Sequence, residues 1–457
     1  MTLSCFKSYD IRGRLGPELN EAVATLIGRA FGQVMGAGRV VLGRDCRASS
    51  AALAAAVSIG LREAGVDVLD LGLCGTEEVY FATAHLGADG GIEVTASHNP
   101  MDYNGMKLVK AGAAPLEPAL LARVKALAES GVFAAATPGQ STDVDTSAAY
   151  VARILSFVDV AALRPLKVLV NAGNGTAGPT FDALAAELAR RGAPLSFERL
   201  NHQPDGSFPN GIPNPLLPEN QPMTANAVRA HGADFGVVWD GDFDRCFLFD
   251  HEGSFVPGEY VVGLLAEVFV AKEPGATIIH DPRVIWNTQA VVARAGGHSV
   301  MAPTGHAFLK ARMRETGAVY GGEMSAHHYF RDFMACDSGM IPWLLVAELL
   351  SRSGRSLCDV LAARRAEFPS SGEINFRVAD VKSAVATVEA AFAPGALARD
   401  DLDGLSLDFG DWRFSLRASN TEPLLRLNVE TRGKPDLVQS RVAAISALIG
   451  GGQTAGH

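Results

Sequence analysis

The chain has 457 residues, 48% of them apolar, and a formal charge of −10 at neutral pH. At roughly 100–200 residues per domain this length suggests three or four domains. The acidic balance argues against broad nucleic-acid binding, which needs a basic face, yet it leaves room for an anionic substrate where Lys and Arg converge in a cleft.

The longest apolar run, residues 341–350, contains Glu348 and falls well short of the ~20 residues needed to cross a bilayer. The first seven residues carry no apolar core, so no signal peptide is expected. Six scattered cysteines with no C-x-x-C pair make a zinc ribbon or a disulfide framework unexpected and point to a reducing, cytoplasmic setting.

In chain order, residues 40–43 read as a strand, 51–64 as a helix, and 66–71 and 91–95 as strands. Further β-branched or aromatic runs lie at 168–170, 235–239 and 277–279. Helical patterns separate them, and such alternation implies α/β domains with largely parallel sheets. Turn-rich breaks at 136–141, 251–258 and 368–372 divide the chain into expected domains 1–142, 143–252, 253–367 and 368–457. The first three are of similar length, which hints at a diverged repeat without internal identity. The last reads as a smaller α+β domain, and the tail from Gly450 is expected to fray for want of an apolar anchor.

Five motifs carry chemistry. Thr95-Ala-Ser-His-Asn-Pro100 follows an apolar strand, where α/β proteins place ligands. It lacks the glycines of a nucleophile elbow, so Ser97 could carry a phosphoryl group; the plain alternative is a turn. Asp240-Gly-Asp-Phe-Asp-Arg245 leaves the strand at 235–239 with three alternating carboxylates. Oxygen-only ligation suits Mg²⁺; an EF-hand would need Gly where Arg245 stands and Glu where His251 stands. A solvated acidic turn is the alternative. Arg417-Ala-Ser-Asn-Thr-Glu-Pro423, with Arg426 soon after, is a kit for phosphate or a surface loop. Gly321-Gly-Glu-Met-Ser-Ala-His-His328 offers a carboxylate and a hydroxyl to a sugar diol, or is a structural turn. Gly173-Asn-Gly-Thr-Ala-Gly178 matches G-x-G-x-x-G after a strand, with Glu198 at about the right distance for a ribose; this pattern supports a dehydrogenase. Tyr9-Asp-Ile-Arg-Gly13, Gly43-Arg-Asp-Cys-Arg47 and Gly105-Met-Lys107 each set a basic residue beside glycine.

Together these motifs resemble the α-D-phosphohexomutase family, most closely its bacterial phosphomannomutase/phosphoglucomutase branch. The likeness is ordered from Tyr9 to Pro423. It implies three related α/β domains with mixed sheets plus a smaller C-terminal α+β domain around a central cleft. It implies an isomerase that interconverts hexose 1-phosphate and hexose 6-phosphate, of mannose, glucose or both. The reaction would pass through a phosphoserine and a 1,6-bisphosphate, with glucose 1,6-bisphosphate as activator.

By the same resemblance Ser97 is the phosphoserine and, with Asp240, Asp242 and Asp244, a Mg²⁺ ligand. Arg12, His98, Lys107 and His327 would lie near the reacting centre, with Lys107 or His327 as general base. Lys107 would need its pKa lowered by cations such as Arg12 to serve. Tyr9, Arg245, Gly305, His306, Glu323 and Ser325 would bind substrate; Arg417, Ser419, Asn420, Thr421 and Arg426 would take its non-reacting phosphate. Ala326 stands where many relatives carry Gly, which would stiffen that loop. The family binds no dinucleotide, so the dehydrogenase reading loses weight. A phosphosugar sensor without catalysis is the other alternative. The expected partner is a small phosphosugar, with no nucleic acid and no membrane, and the expected state is a monomer.

Overall fold

The computed structural model describes residues 2–418 and 424–454. It divides into two compact units, one of Met1–Pro215, Asn220–Gly253 and His327–Gly354, the other of Leu216–Glu219, Ser254–Ala326 and Arg355–His457. No helix among the described residues is long and apolar enough to cross a membrane.

The first unit holds two sheets. One runs in the order Ile11–Arg14, Tyr103–Lys110, Gly90–Val94, Arg39–Arg44, Asp67–Leu73, Ser141–Asp143. Its last four strands are parallel and its first two antiparallel, so the sheet is mixed. The helix Glu21–Met35 buries Val23, Ile27 and Phe31, one per turn along a single stripe. Asn20 caps its first turn by accepting from the Val23 N–H. It packs on the helix Ser50–Glu63, where a Cβ on Gly60 would lie 2.8 Å from the Arg29 nitrogen; no larger residue permits that approach.

The second sheet runs Cys246–Asp250, Phe235–Trp239, Leu166–Asn171, Leu195–Leu200, antiparallel at the first pair and parallel thereafter. Every residue of Phe235–Trp239 is buried, as expected for a central strand covered on both faces. A hairpin of His328–Phe330 and Cys336–Asp337 leads into the apolar helix Met340–Ser353.

In the second unit, Thr277–His280 lies between His298–Met301 and Tyr320–Gly322, all parallel. A six-stranded antiparallel sheet follows, in the order Ala398–Asp400, Leu405–Asp408, Trp412–Ala418, Leu424–Thr431, Ser370–Arg377, Gly452–Thr454. The expected strand, helix, three strands and helix are all present, with short edge strands added. One edge corrects the expectation of fraying as far as Thr454; residues 455–457 lie outside the described residues. Gly452–Thr454 pairs with Ser370–Arg377, because an open sheet edge offers backbone hydrogen bonds that require no apolar side chain.

Candidate active site

The strand Gly90–Val94 is fully buried and ends in a loop that returns as Tyr103–Lys110. Within that loop Ser97 adopts φ 50°, the left-handed region that costs an L-residue about 1 kcal/mol or more. Local bonds hold it: the Ser97 N–H donates to Thr95 Oγ1 at 2.8 Å and the Asn99 N–H to the Ala96 carbonyl at 2.9 Å. The strained backbone aims the hydroxyl inward. Ser97 is 4% exposed, and its Oγ donates to Asp240 Oδ2 at 2.6 Å and lies 3.0 Å from His98 Nδ1.

Asp240, Asp242 and Asp244 sit on the tight connection from Phe235–Trp239 to Cys246–Asp250, turned by Phe243 at φ 46°. All three are essentially inaccessible to solvent, which excludes the solvated-turn alternative. Their oxygens gather within 4.8 Å of one another. Lys107 bonds Asp242 at 2.7 Å and also Asp244. Arg245 grips Asp240 Oδ2 through Nε at 2.9 Å and Nη2 at 2.8 Å. Thr76 and Thr95 hydroxyls add bonds to Asp242 at 2.7 and 3.2 Å.

Two cations do not satisfy three buried carboxylates. Among the described residues, Oδ1 of each aspartate lacks a hydrogen-bond partner. Burial pushes Asp244 up to about 6 against the pull of Lys107. Burial opposes the charge of Asp242, but Lys107, the Thr76 hydroxyl and Arg12 together hold it below its ordinary value. Three gathered carboxylates, each with an unpartnered oxygen, and a hydroxyl beside them are a hard-donor set that fits a divalent cation such as Mg²⁺.

The remaining expected residues of this unit gather here too. Arg12 donates to the Thr95 carbonyl and pairs with Asp10 at 3.3 Å; Tyr9 precedes it in the turn before Ile11–Arg14. His98 also faces the Arg245 guanidinium. Burial, then Arg245 and Arg12, keep its imidazole well below its usual pKa and therefore neutral. His327 enters through a backbone bridge to Arg245. Its Nδ1 lies 2.8 Å from Asp337 Oδ2 and 3.9 Å from Asp244 Oδ1. Lys107 departs from expectation. Burial would lower its pKa, but Asp242 and Asp244 prevail and raise it, so carboxylates rather than Arg12 set its charge.

The glycine run 173–178 is a shelf for this loop. A Cβ on Gly175 would lie 2.7 Å from the Gly241 carbonyl oxygen. Thr176 donates to that same oxygen through N–H at 3.0 Å and Oγ1 at 3.1 Å. Glu198 pairs with Lys167 at 3.3 Å. The motif is spent on packing and leaves no cradle for a pyrophosphate, which removes the dinucleotide reading.

The second unit carries a separate cluster. Glu323, 1% exposed, follows the strand Tyr320–Gly322, and its Oε1 accepts from the Gly305 N–H at 2.9 Å. Gly305 has φ 129° and precedes His306, the first residue of the helix His306–Thr316. Ser325 Oγ lies 3.3 Å from Arg283 Nη2. Ala326 sits at φ 69°, a conformation that favours glycine and so explains why glycine suits this position.

Sequence reasoning missed Arg283, Glu373, Asp281 and Asp403. Arg283 bonds Asp281 at 2.9 Å and Glu373 at 3.2 Å. Arg417 reaches Glu373 and Asp403 only at 3.7 Å, and Arg426 reaches Glu373 at 3.4 Å. Strand register sets Arg417 directly opposite Arg426. Nε of both lacks a hydrogen-bond partner among the described residues. Burial and then the neighbouring Arg283 lower the Arg417 pKa. One signal could have found Arg283: Asp281-Pro-Arg283 stands at the end of the strand Thr277–His280, the same strand-end position that marked Thr95. Ser419, Asn420 and Thr421 lie outside the described residues.

Profiles of the phosphoglucomutase/phosphomannomutase family match along the chain. The alpha/beta/alpha domains I, II and III cover residues 4–135, 148–253 and 257–368, and the C-terminal domain covers 373–448. A phosphomannomutase of Salmonella montevideo is 58% identical over 451 residues, 98% of this chain and 99% of the relative. A protein named phosphohexose mutases from Xanthomonas campestris pv. campestris is 57% identical, covering 99% of this chain and all of the relative. Among solved structures, a phosphoglucomutase/phosphomannomutase family protein of Burkholderia thailandensis superposes with TM-score 0.88 at 33% identity, over 99% of each chain. The fold extends to an Aspergillus fumigatus N-acetylphosphoglucosamine mutase in complex with GlcNAc-6P and magnesium, at TM-score 0.62 and 14% identity over 98% and 96% of the two chains. With four matched domains in order and relatives this similar over their full length, the chain belongs to the phosphoglucomutase/phosphomannomutase family.

Proposed function

We propose that the protein interconverts hexose 1-phosphate and hexose 6-phosphate of both mannose and glucose, with Ser97 as the phosphoryl carrier. The observation that carries this reading is the Ser97 hydroxyl 2.6 Å from Asp240, inside a cluster where Oδ1 of each aspartate lacks a hydrogen-bond partner among the described residues. Those aspartates and Ser97 Oγ would hold Mg²⁺, which when bound neutralises charge on the transferring group.

Phosphoryl transfer needs mainly positioning and charge stabilisation. The P–Oγ bond breaks as a sugar oxygen attacks in line. Arg245 Nη2, 3.4 Å from Ser97 Oγ, stabilises the alkoxide that leaves before it takes up a proton. The attacking hydroxyl gives its proton to a base. Lys107 is tied to two carboxylates that keep it protonated, so His327 is the better candidate. Asp337 engages its Nδ1 and orients Nε2 to take the proton. Burial of Ser97 excludes the water that would otherwise hydrolyse the phosphoserine.

In the second unit Glu323 would hold the vicinal O3 and O4 hydroxyls, with Ser325 and His306 beside it. A clamp on O3 and O4 does not see C2, where glucose and mannose differ, so both sugars are accepted. It also serves both orientations of a 1,6-bisphosphate, which must turn over between the two transfers; the same bisphosphate of glucose would act as activator. Arg417, Arg426 and Ser419 to Thr421 would bind the phosphate that is not reacting. The described residues contain no disulfide, in keeping with a cytoplasmic enzyme.

The test is a coupled assay of glucose 6-phosphate formation from glucose 1-phosphate, with Mg²⁺ and a trace of glucose 1,6-bisphosphate. Wild type should turn over and carry phosphate on Ser97, and Ser97→Ala should lose at least ~10³-fold in kcat. An unphosphorylated, inactive wild type would leave a phosphosugar-binding protein instead.

A further inference from the structure

The Gly43-to-Arg47 motif has no part in the chemistry above, yet it lies directly behind it. Arg39–Arg44 runs parallel to Gly90–Val94, with Arg44 paired to Val94. The chain leaving one strand therefore follows the chain leaving the other. The Asp45 N–H donates to the Val94 carbonyl at 3.0 Å. Asp45 Oδ2 accepts from the Ala96 N–H at 3.3 Å, and its Oδ1 accepts from the Arg47 N–H at 2.9 Å.

Arg47 is 3% exposed, and its guanidinium spans the Ser97 loop from behind. Nη2 donates to the carbonyls of Ser97 at 2.9 Å and Asn99 at 2.5 Å; Nη1 donates to those of Pro100 at 3.0 Å and Tyr103 at 3.4 Å. The carbonyls of Ser97 and Asn99 lie in the loop between the two strands, away from any ladder, and must be satisfied by another donor; that of Pro100 also accepts from the Tyr103 N–H at 3.0 Å, and Tyr103 opens the next strand. A planar fork with fixed donor directions can serve several carbonyls at once, whereas an ammonium is a point charge on a flexible stem. The Phe208 ring, 5.5 Å from the guanidinium carbon, closes the other side.

We propose that Arg47 is a positioning residue for phosphoryl transfer: its four carbonyl contacts lock the Ser97 loop in the left-handed turn that sets Ser97 Oγ against Asp240. It acts through the backbone of that loop. The inference rests on Ser97 being the phosphoryl carrier. Without the clamp, Ser97 relaxes out of its φ 50° conformation and the hydroxyl leaves its 2.6 Å contact.

The experiment compares wild type with Arg47→Lys and Arg47→Gln in the coupled assay, in phosphate content at Ser97 and in amide hydrogen exchange of the full chain. Misplacement of a reacting group by about 1 Å costs ~10²-fold, so kcat should fall by about that factor in both variants. KM for glucose 1-phosphate should change less than about threefold, because no ground-state contact is removed. Exchange across residues 96–103 should accelerate, with the helix Val381–Phe392 and its sheet unaffected. Arg47→Lys keeps the charge and most of the volume, so it remains informative if Arg47→Gln fails to fold. Wild-type kcat in Arg47→Lys, unchanged exchange at 96–103, or a kcat loss equal to the loss of folded protein would each overturn the proposal. A wild type with no phosphate on Ser97 would remove the functional reading and the proposal together; a phosphorylated, active wild type with a fully active variant removes the proposal alone.

Discussion

The two units present opposite deficits. Around Ser97, three aspartates meet Lys107 and Arg245, and one oxygen of each aspartate is left without a donor among the described residues. Around Glu373, three guanidiniums converge, and Nε of Arg417 and of Arg426 is left without an acceptor among the described residues. Buried polar atoms are normally satisfied, and each exception asks for an explanation. The unpartnered atoms of the one suit a cation, and those of the other suit an anion. A phosphosugar enzyme that moves one phosphoryl group while holding another needs both. Unsatisfied atoms, more than charge counts, tell the two sites apart, since the second cluster also contains Asp281, Glu323 and Asp403.

The largest test of this contrast is Asp240→Asn. It removes one negative charge and one carboxylate oxygen from the first cluster, so kcat should fall about 10³-fold, or ~4 kcal/mol. Calorimetric titration should show weakened Mg²⁺ binding, and wild-type metal affinity in the variant would break the comparison. Next, Arg417→Ala should mainly raise KM, by about 10- to 100-fold, the value of a charged hydrogen bond. A pure kcat effect would move Arg417 from anion binding to the chemistry. Smaller again is Gly175→Ala. Overpacking against the Gly241 carbonyl should lower stability by about 1 kcal/mol, seen as a lower melting temperature; an unchanged melt would mean the shelf can yield.

The smallest and sharpest contrast is in pH. Burial pushes Glu77 of the first unit well above the usual carboxylate range, despite bonds from Tyr150, Ser338 and Gly339. Glu373 of the second unit resists its own burial and is lowered by Arg283, Arg426 and Arg417. A raised carboxyl contributes stability that is present below its unfolded pKa and lost as pH rises through the folded one. A lowered carboxyl contributes stability that is present above its unfolded pKa and lost as pH falls through the folded one. Thermal melts across pH should therefore show Glu77→Gln flattening the loss on the alkaline side and Glu373→Gln flattening it on the acid side. The same sign in both variants would erase the distinction.

Much of this was legible in the chain. Strands at 40–43, 235–239 and 277–279 appear within a residue or two of their expected bounds, because dense β-branched runs leave little choice of conformation. The Ser97 and Asp240 loops were legible because each packs its chemistry into six consecutive residues. The glycine run was ambiguous in itself because its spacing matches two uses of glycine, a phosphate cradle and a close backbone approach. Only the carbonyl of Gly241 against Gly175 decides between them.

Local propensity and contiguous ligands, then, were the sequence's own contribution: which segments form strands, which loops carry carboxylates, which serine could be phosphorylated. Tertiary structure decided the pairings across long separations. Ser97 meets Asp240 across 143 positions and Lys107 meets Asp242 across 135. Arg417 meets Arg426 only through strand register, and Arg47 finds its carbonyls only because two parallel strands end side by side. No spacing in one dimension encodes such contacts, since burial and register select them after the chain has folded.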